Sequence, residues 1–245
     1  MTTPIRRTLA LRSPSAGNIE LFDHVVARGA DPLRSLALHS VSRCKDPEKT
    51  VAMIDHLVDV HHMDVNFDNE SLRDYFHDAP DSGGPLHAAI HHQNLVAVQH
   101  LLKRGANANG IKRWQDAYGI TGWIDCGVLY NAIVGHYNSP GPMLSALEPL
   151  LDAGVSIDTA LSYAVELNRV DAARLCLARG VDPTAAIKVV DDREARRLAR
   201  TPEGEDEAMW ELEESELEHD SEAAERRREM NELMKTLRQR HHEQR

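Results

Sequence analysis

Residues Gly84 to Asn109 read Gly-Pro-Leu-His-Ala-Ala-Ile-His-His-Gln-Asn-Leu-Val-Ala-Val-Gln-His-Leu-Leu-Lys-Arg-Gly-Ala-Asn-Ala-Asn, and their periodicity governs every other assignment in the chain. Pro85 opens a short helix, a position where its fixed φ fits and its missing N–H costs nothing. Gln93-Asn94 interrupts it. A second helix then places Leu95, Val98, Leu101 and Leu102 on one face until Gly105 stops it. Two helices this short cannot bury their apolar face alone, so copies must lie elsewhere in the chain.

The copies form two columns. Leu38-His39 with Val41, Leu129-Tyr130 with Ala132, and Thr159-Ala160-Leu161-Ser162 with Ala164 align with Leu86-His87 and Ala89. Gly29-Ala30-Asp31, His62-Met63-Asp64, Gly105-Ala106-Asn107, Gly154-Val155-Ser156 and Gly180-Val181-Asp182 align at the other end of the unit. Gly is favoured there because a helix that ends in a left-handed turn has no room for a side chain. Successive steps in this second column are 33, 43, 49 and 26 residues, so the long steps contain insertions and the short one a trimmed loop. Gly17-Asn18 and Gln93-Asn94 mark the same inter-helix turn in two copies.

Pro85-Leu86-His87 with Ala89 resembles four of the five fixed positions of the ankyrin signature Thr-Pro-Leu-His-x-Ala, and Leu101-Leu102 followed by Gly105-Ala106-Asn107 resembles the end of that repeat. Gly84 stands where the signature has Thr, which removes one hydroxyl from the helix start. The resemblance implies an all-α ankyrin-repeat solenoid of helix-turn-helix units. About five repeats and a cap over residues 4 to 200 place the repeat domain at residues 1 to 202, and residues 203 to 245 are expected to be a charged tail, helical or partly disordered. Within the second unit, Cys44 to Lys49 reads as a polar loop between Val41 and a helix carrying Val51, Ile54, Leu57 and Val58. Asp182-Pro183-Thr184 opens the capping helix.

Composition narrows the function. Aromatic residues make up only 4% of the 245 residues against 42% hydrophobic, which suits small Ala and Leu contacts between thin helices. No apolar run approaches the roughly 20 residues that span a bilayer, so no membrane association is expected. Cys44, Cys126 and Cys176 show no pairing pattern, which points to a reducing compartment, cytoplasmic or nuclear. Residues 203 to 245 hold 15 of the 39 acids and 7 of the 28 bases. The preceding repeats are thus near neutral, and a near-neutral stack with an acidic appendage is not drawn to a phosphate backbone. Nucleic acid is not an expected partner.

Fourteen histidines raise the question of a metal. His87 and His91 have the i,i+4 spacing that shares a helix face, but they have neither a third ligand nor an intervening Glu, and no Cys-x-x-Cys occurs. The resemblance gives His87 a hydrogen-bonding role between repeats. No metal, no cofactor and no catalytic residues are expected, since neither a Gly-x-Ser-x-Gly turn nor a Gly-rich phosphate loop is present.

Aromatic placement is the informative anomaly. Six of the eleven aromatics, Phe67, Tyr75, Phe76, Trp114, Tyr118 and Trp123, fall in two long segments, residues 67 to 83 and 110 to 126. Aromatic side chains dominate the energetics of binding surfaces, so these six form the candidate partner-binding set, as loop fingers beside the concave repeat face. The alternative is that such loops pack their own aromatics down to hold themselves in place. The expected function is a scaffold or adaptor that binds another protein. A second class is a nuclear transcriptional regulator, because Met209, Trp210, Leu212 and Leu217 among the acids of residues 205 to 220 resemble an acidic activation segment. Further along, Met230, Leu233 and Leu237 stand at a-d-a spacing, a short match to a coiled coil. The chain is expected to be a monomer, with the tail as the segment through which it could dimerise. The bland reading of the tail is a solvated helix independent of the repeats.

Overall fold

The computed structural model describes residues 13–67, 83–109, 114–115, 121–122, 128–135, 141–184, 187–188, 190–191 and 221–243. In chain order the elements are α1 (Ile19–Ala27), α2 (Ala37–Val41), α3 (Pro47–Asp55), α4 (Pro85–His91), α5 (Leu95–Lys103), β1 (Trp114–Gln115), β2 (Thr121–Gly122), α6 (Val128–Val134), α7 (Leu147–Asp152), α8 (Ile157–Glu166), α9 (Val170–Ala178) and α10 (Ser221–Glu243). Among the described residues the fold is all-α apart from the two-residue strands. The chain divides into two compact units, Met1–Val155 and Ser156–Arg245.

In the first unit the helices sort into two layers. The first helices of successive repeats, α2, α4 and α6, pack on one another, and the second helices, α3, α5 and α7, do the same. Burial follows the sequence periodicity. Leu38, Ala89 and Ala132 are buried in the first layer, and Ile54, Leu57, Val98, Leu101 and Leu150 in the second. Leu86 and Leu101, whose spacing put them in the core, are both buried.

Helix starts are set by local chemistry. Asn18 Oδ1 accepts from Leu21 N at 2.9 Å and Asn94 Oδ1 from Ala97 N at 3.0 Å, each satisfying a first-turn amide. Gly84 caps α4 without a side-chain bond, as expected where Thr is missing. The expected polar loop over Cys44 to Lys49 is shorter than the sequence reading allowed. Helix α3 already begins at Pro47, with Asp46 Oδ1 accepting from Lys49 N at 3.1 Å.

Helix ends follow the predicted column. Gly29, Gly105 and Gly154 in the first unit have φ of 93°, 91° and 91°, and Gly180 in the second has 80°. His62 takes the same place with φ 55°, a conformation that costs a side-chain-bearing residue energy. The hydrogen bond that closes each end exposes the reason for the difference. Ala30 N, Ala106 N and Val155 N donate to the carbonyls of Val25, Leu101 and Leu150, five residues back, whereas Met63 N donates to Leu57, six residues back. One extra residue is accommodated as a π-turn over His56–Val60, in which His61 N donates to His56 O at 3.4 Å.

In the second unit α8 packs along α9, burying Leu161, Ala164, Val165, Ala173 and Cys176. Burial pushes the Cys176 thiol up to about 11. Helix α10 does not stand apart as expected of a solvated tail. It packs against α9, Met230 and Met234 are 1% and 2% exposed, and Arg238 pairs with Asp191. The expectation failed because it looked for heptads. Met230 and Met234 are i,i+4, which makes a narrow apolar spot on an otherwise charged helix.

Candidate functional site

The segment between α5 and α6 contains the paired strands. Trp114 pairs with Gly122 and Gln115 with Thr121 in an antiparallel register, so the second long segment includes a hairpin rather than a featureless loop. Trp114 lies on β1. The first segment starts at Phe67, which is half-buried with its ring edge-on to buried His39, centroids 6.3 Å apart. Phe67 thus packs onto the repeat. Tyr75, Phe76, Tyr118 and Trp123 lie outside the described residues.

Polar links join successive repeats. His39 Nε2 lies 2.8 Å from Gly83 O, and His87 Nε2 lies 2.7 Å from Asn131 Nδ2, so an imidazole from the first helix of one repeat bonds toward the next repeat in both cases. This is the role that the resemblance implied for His87. Asn94 Nδ2 donates to Cys44 O at 2.8 Å and Ser42 O at 3.1 Å. Asn66 donates to Gly105 O at 3.2 Å and accepts from Asn107 N at 2.7 Å. Gln93 Nε2 donates to Gly141 O at 3.1 Å. The turns are thereby held by side-chain amides, groups that supply donor and acceptor together.

Sequence reading missed a second set of links along the second helices of the repeats. His56 Nε2 and His61 Nε2 lie 2.7 and 2.9 Å from the same oxygen, Asp23 Oδ1. In the next repeat His100 Nε2 lies 2.7 Å from Asp55 Oδ1, with Arg104 3.4 Å from that oxygen and also paired with Asp59. Burial alone would raise the Asp23 carboxyl, but its hydrogen bonds to the two imidazoles outweigh that and hold it below the ordinary carboxylate value. Asp59 holds the Arg104 guanidinium above its ordinary value. The partners are 33 to 49 residues apart, and no local motif marks them. The column alignment, once corrected for the inserted residue, places Asp23 over Asp55 and His56 over His100.

His91 and His92 hold each other edge-on at 4.8 Å, and His92 Nε2 accepts from Arg43 at 3.1 Å. Among the described residues, no helix is long and apolar enough to cross a membrane.

The ankyrin-repeat family model matches residues 84–112, which covers α4, α5 and the residues leading to β1. No curated protein matches the chain. Repeats of this family are generally protein–protein interaction modules rather than catalytic ones. Residues 84–112 are thus an ankyrin repeat, within a chain of stacked helix pairs.

Proposed function

We propose that this protein is a scaffold or adaptor that binds a partner protein through the segments inserted between its repeats, together with the concave face of a solenoid built from them. The observation that carries this reading is the hairpin of β1 and β2, which follows the matched repeat directly and bears Trp114. Connecting segments run over protein surfaces, and binding residues concentrate on them when a rigid scaffold holds their ends. Here the ends are held by α5 and α6, both well packed. The recognition set is Phe67, Tyr75, Phe76, Trp114, Tyr118 and Trp123, with Phe67 also anchoring its segment on His39.

The test is affinity capture with the full chain, followed by calorimetry of the recovered partner against variants. Trp114→Ala and Trp123→Ala should each weaken binding by about thirtyfold, the equivalent of roughly 2 kcal/mol, while melting stays unchanged. Gln115→Ala should bind as wild type. Trp variants that melt early yet bind normally would make the side chains loop anchors and move the interface to the helices. The regulator reading rests on residues 203 to 220, which lie outside the described residues, and no observation favours it over the scaffold.

A further inference from the structure

We infer that Asp23, His56 and His61 form a binding site for a divalent d-block cation, with zinc the ion that their chemistry suits. One ligand atom from each residue lies within 4.8 Å of the other two, and both imidazole Nε2 atoms contact Asp23 Oδ1. Two imidazoles and a carboxylate are a donor set that zinc takes in open sites, whereas calcium and magnesium call for oxygen ligands. Zinc bonds of about 2.0 to 2.2 Å place ligand atoms about 3.3 Å apart. The observed 2.7 and 2.9 Å contacts therefore need to open by only about half an ångström. Asp23 can supply that movement because its side chain is 46% exposed, while the imidazoles are fixed at 15% and 12%. With its proton moved to Nδ1, each imidazole offers its Nε2 lone pair to the ion. The exposed side leaves a fourth position for water.

Two independent features point to the same place. The first is the π-turn. Residues five apart on an α-helix lie about 140° apart around the axis, and widening the turn to i→i+5 bonding rotates His56 and His61 toward one face. The rings meet edge-on at 4.9 Å, and Phe22 backs His61 at 5.1 Å. The second is the residue before each left-handed helix end. It is Arg28, Arg104 and Arg179 in three repeats and Ala153 in another, but His61 here. Where Arg104 stands, the guanidinium already neutralises Asp55, and a cation is excluded. Where His61 stands, that charge is removed and a second nitrogen donor takes its place. The sequence alone gave no reason to expect a metal, because its histidine count drew attention to His87 and His91 instead.

The experiment is zinc titration of the metal-free full-length chain by calorimetry, with thermal melting in parallel, on wild type, His61→Arg and His100→Ala. Wild type and His100→Ala should each take up a tight zinc equivalent that His61→Arg lacks. Zinc should raise the Tm of wild type and not that of His61→Arg, while calcium and magnesium leave both unchanged. His61→Arg rebuilds the arrangement of the neighbouring repeat, so it should fold. Asp23→Asn, which keeps an oxygen for the imidazoles, should show the same loss and guards against a folding defect. Equal zinc uptake by wild type and His61→Arg, or loss of the tight equivalent in His100→Ala, overturns the inference.

Discussion

The second and third repeats share a layout and differ in the length of their second helix. In the third, Asn94 caps that helix and Gly105 ends it 11 residues later. In the second, Asp46 caps and His62 ends it 16 residues later. The excess of five is one additional α-turn plus one residue, and that last residue is what the π-turn absorbs. Both helices still present an equivalent buried leucine, Leu101 and Leu57, each almost wholly inaccessible to solvent. The packed layer fixes the positions of the leucines, so the extra residue emerges on the outer, solvent-side end, where it changes polar chemistry and leaves the core alone.

The largest effect that sharpens this contrast comes from the leucines. Leu101→Ala and Leu57→Ala should each cost about 2 to 5 kcal/mol in chemical denaturation. A Leu57 penalty far below that of Leu101 would show that the π-turn loosens the layer as well as its edge. For the second unit, Met230→Ala should cost about 2 kcal/mol by loss of buried apolar area. Melting unchanged by that substitution would return α10 to the status of a loose appendage.

Smaller effects of opposite sign are expected at the helix ends. Gly105 has φ 91° with open space where a Cβ would go, so Gly105→Ala should lose about 1 to 2 kcal/mol from backbone conformation alone. His62 is exposed at φ 55°, and His62→Gly should gain about 0.5 to 1 kcal/mol as the strain is relieved. Two losses of equal size in a denaturant series would mean that the His62 side chain is engaged after all.

The same contrast explains what could be read from the sequence. Glycine at Gly29, Gly105, Gly154 and Gly180 is visible because few other residues tolerate that conformation, and spacing alone placed His62 in their column. The inserted residue left no such mark, since Val51, Ile54, Leu57 and Val58 look helical with or without it. The Asp46-Pro47 start was overlooked although cap and proline are ordinary signals. Asp23 with His56, and Asp55 with His100, meet only because repeats stack. Each partner alone is an ordinary polar residue on the second helix of a repeat. Met230 with Met234 was hidden by the charges around it and by a search confined to heptads. Of the six aromatics, Phe67 and the strand position of Trp114 fall among the described residues.

Asn94 has a consequence for how the first unit comes apart. Its Oδ1 caps α5 while its Nδ2 is bound to the Ser42 and Cys44 carbonyls of the preceding repeat. One side chain therefore belongs at once to the local stability of a repeat and to its coupling with a neighbour, two quantities that nearest-neighbour descriptions of repeat arrays keep separate. When α2 and the turn after it melt, Asn94 loses its fixed orientation, and α5 loses its start signal as well as its neighbour. Unfolding in this part of the chain should therefore propagate as one cooperative event, with hydrogen exchange at Ala97 and Val98 rising together with that at Cys44 rather than ahead of it.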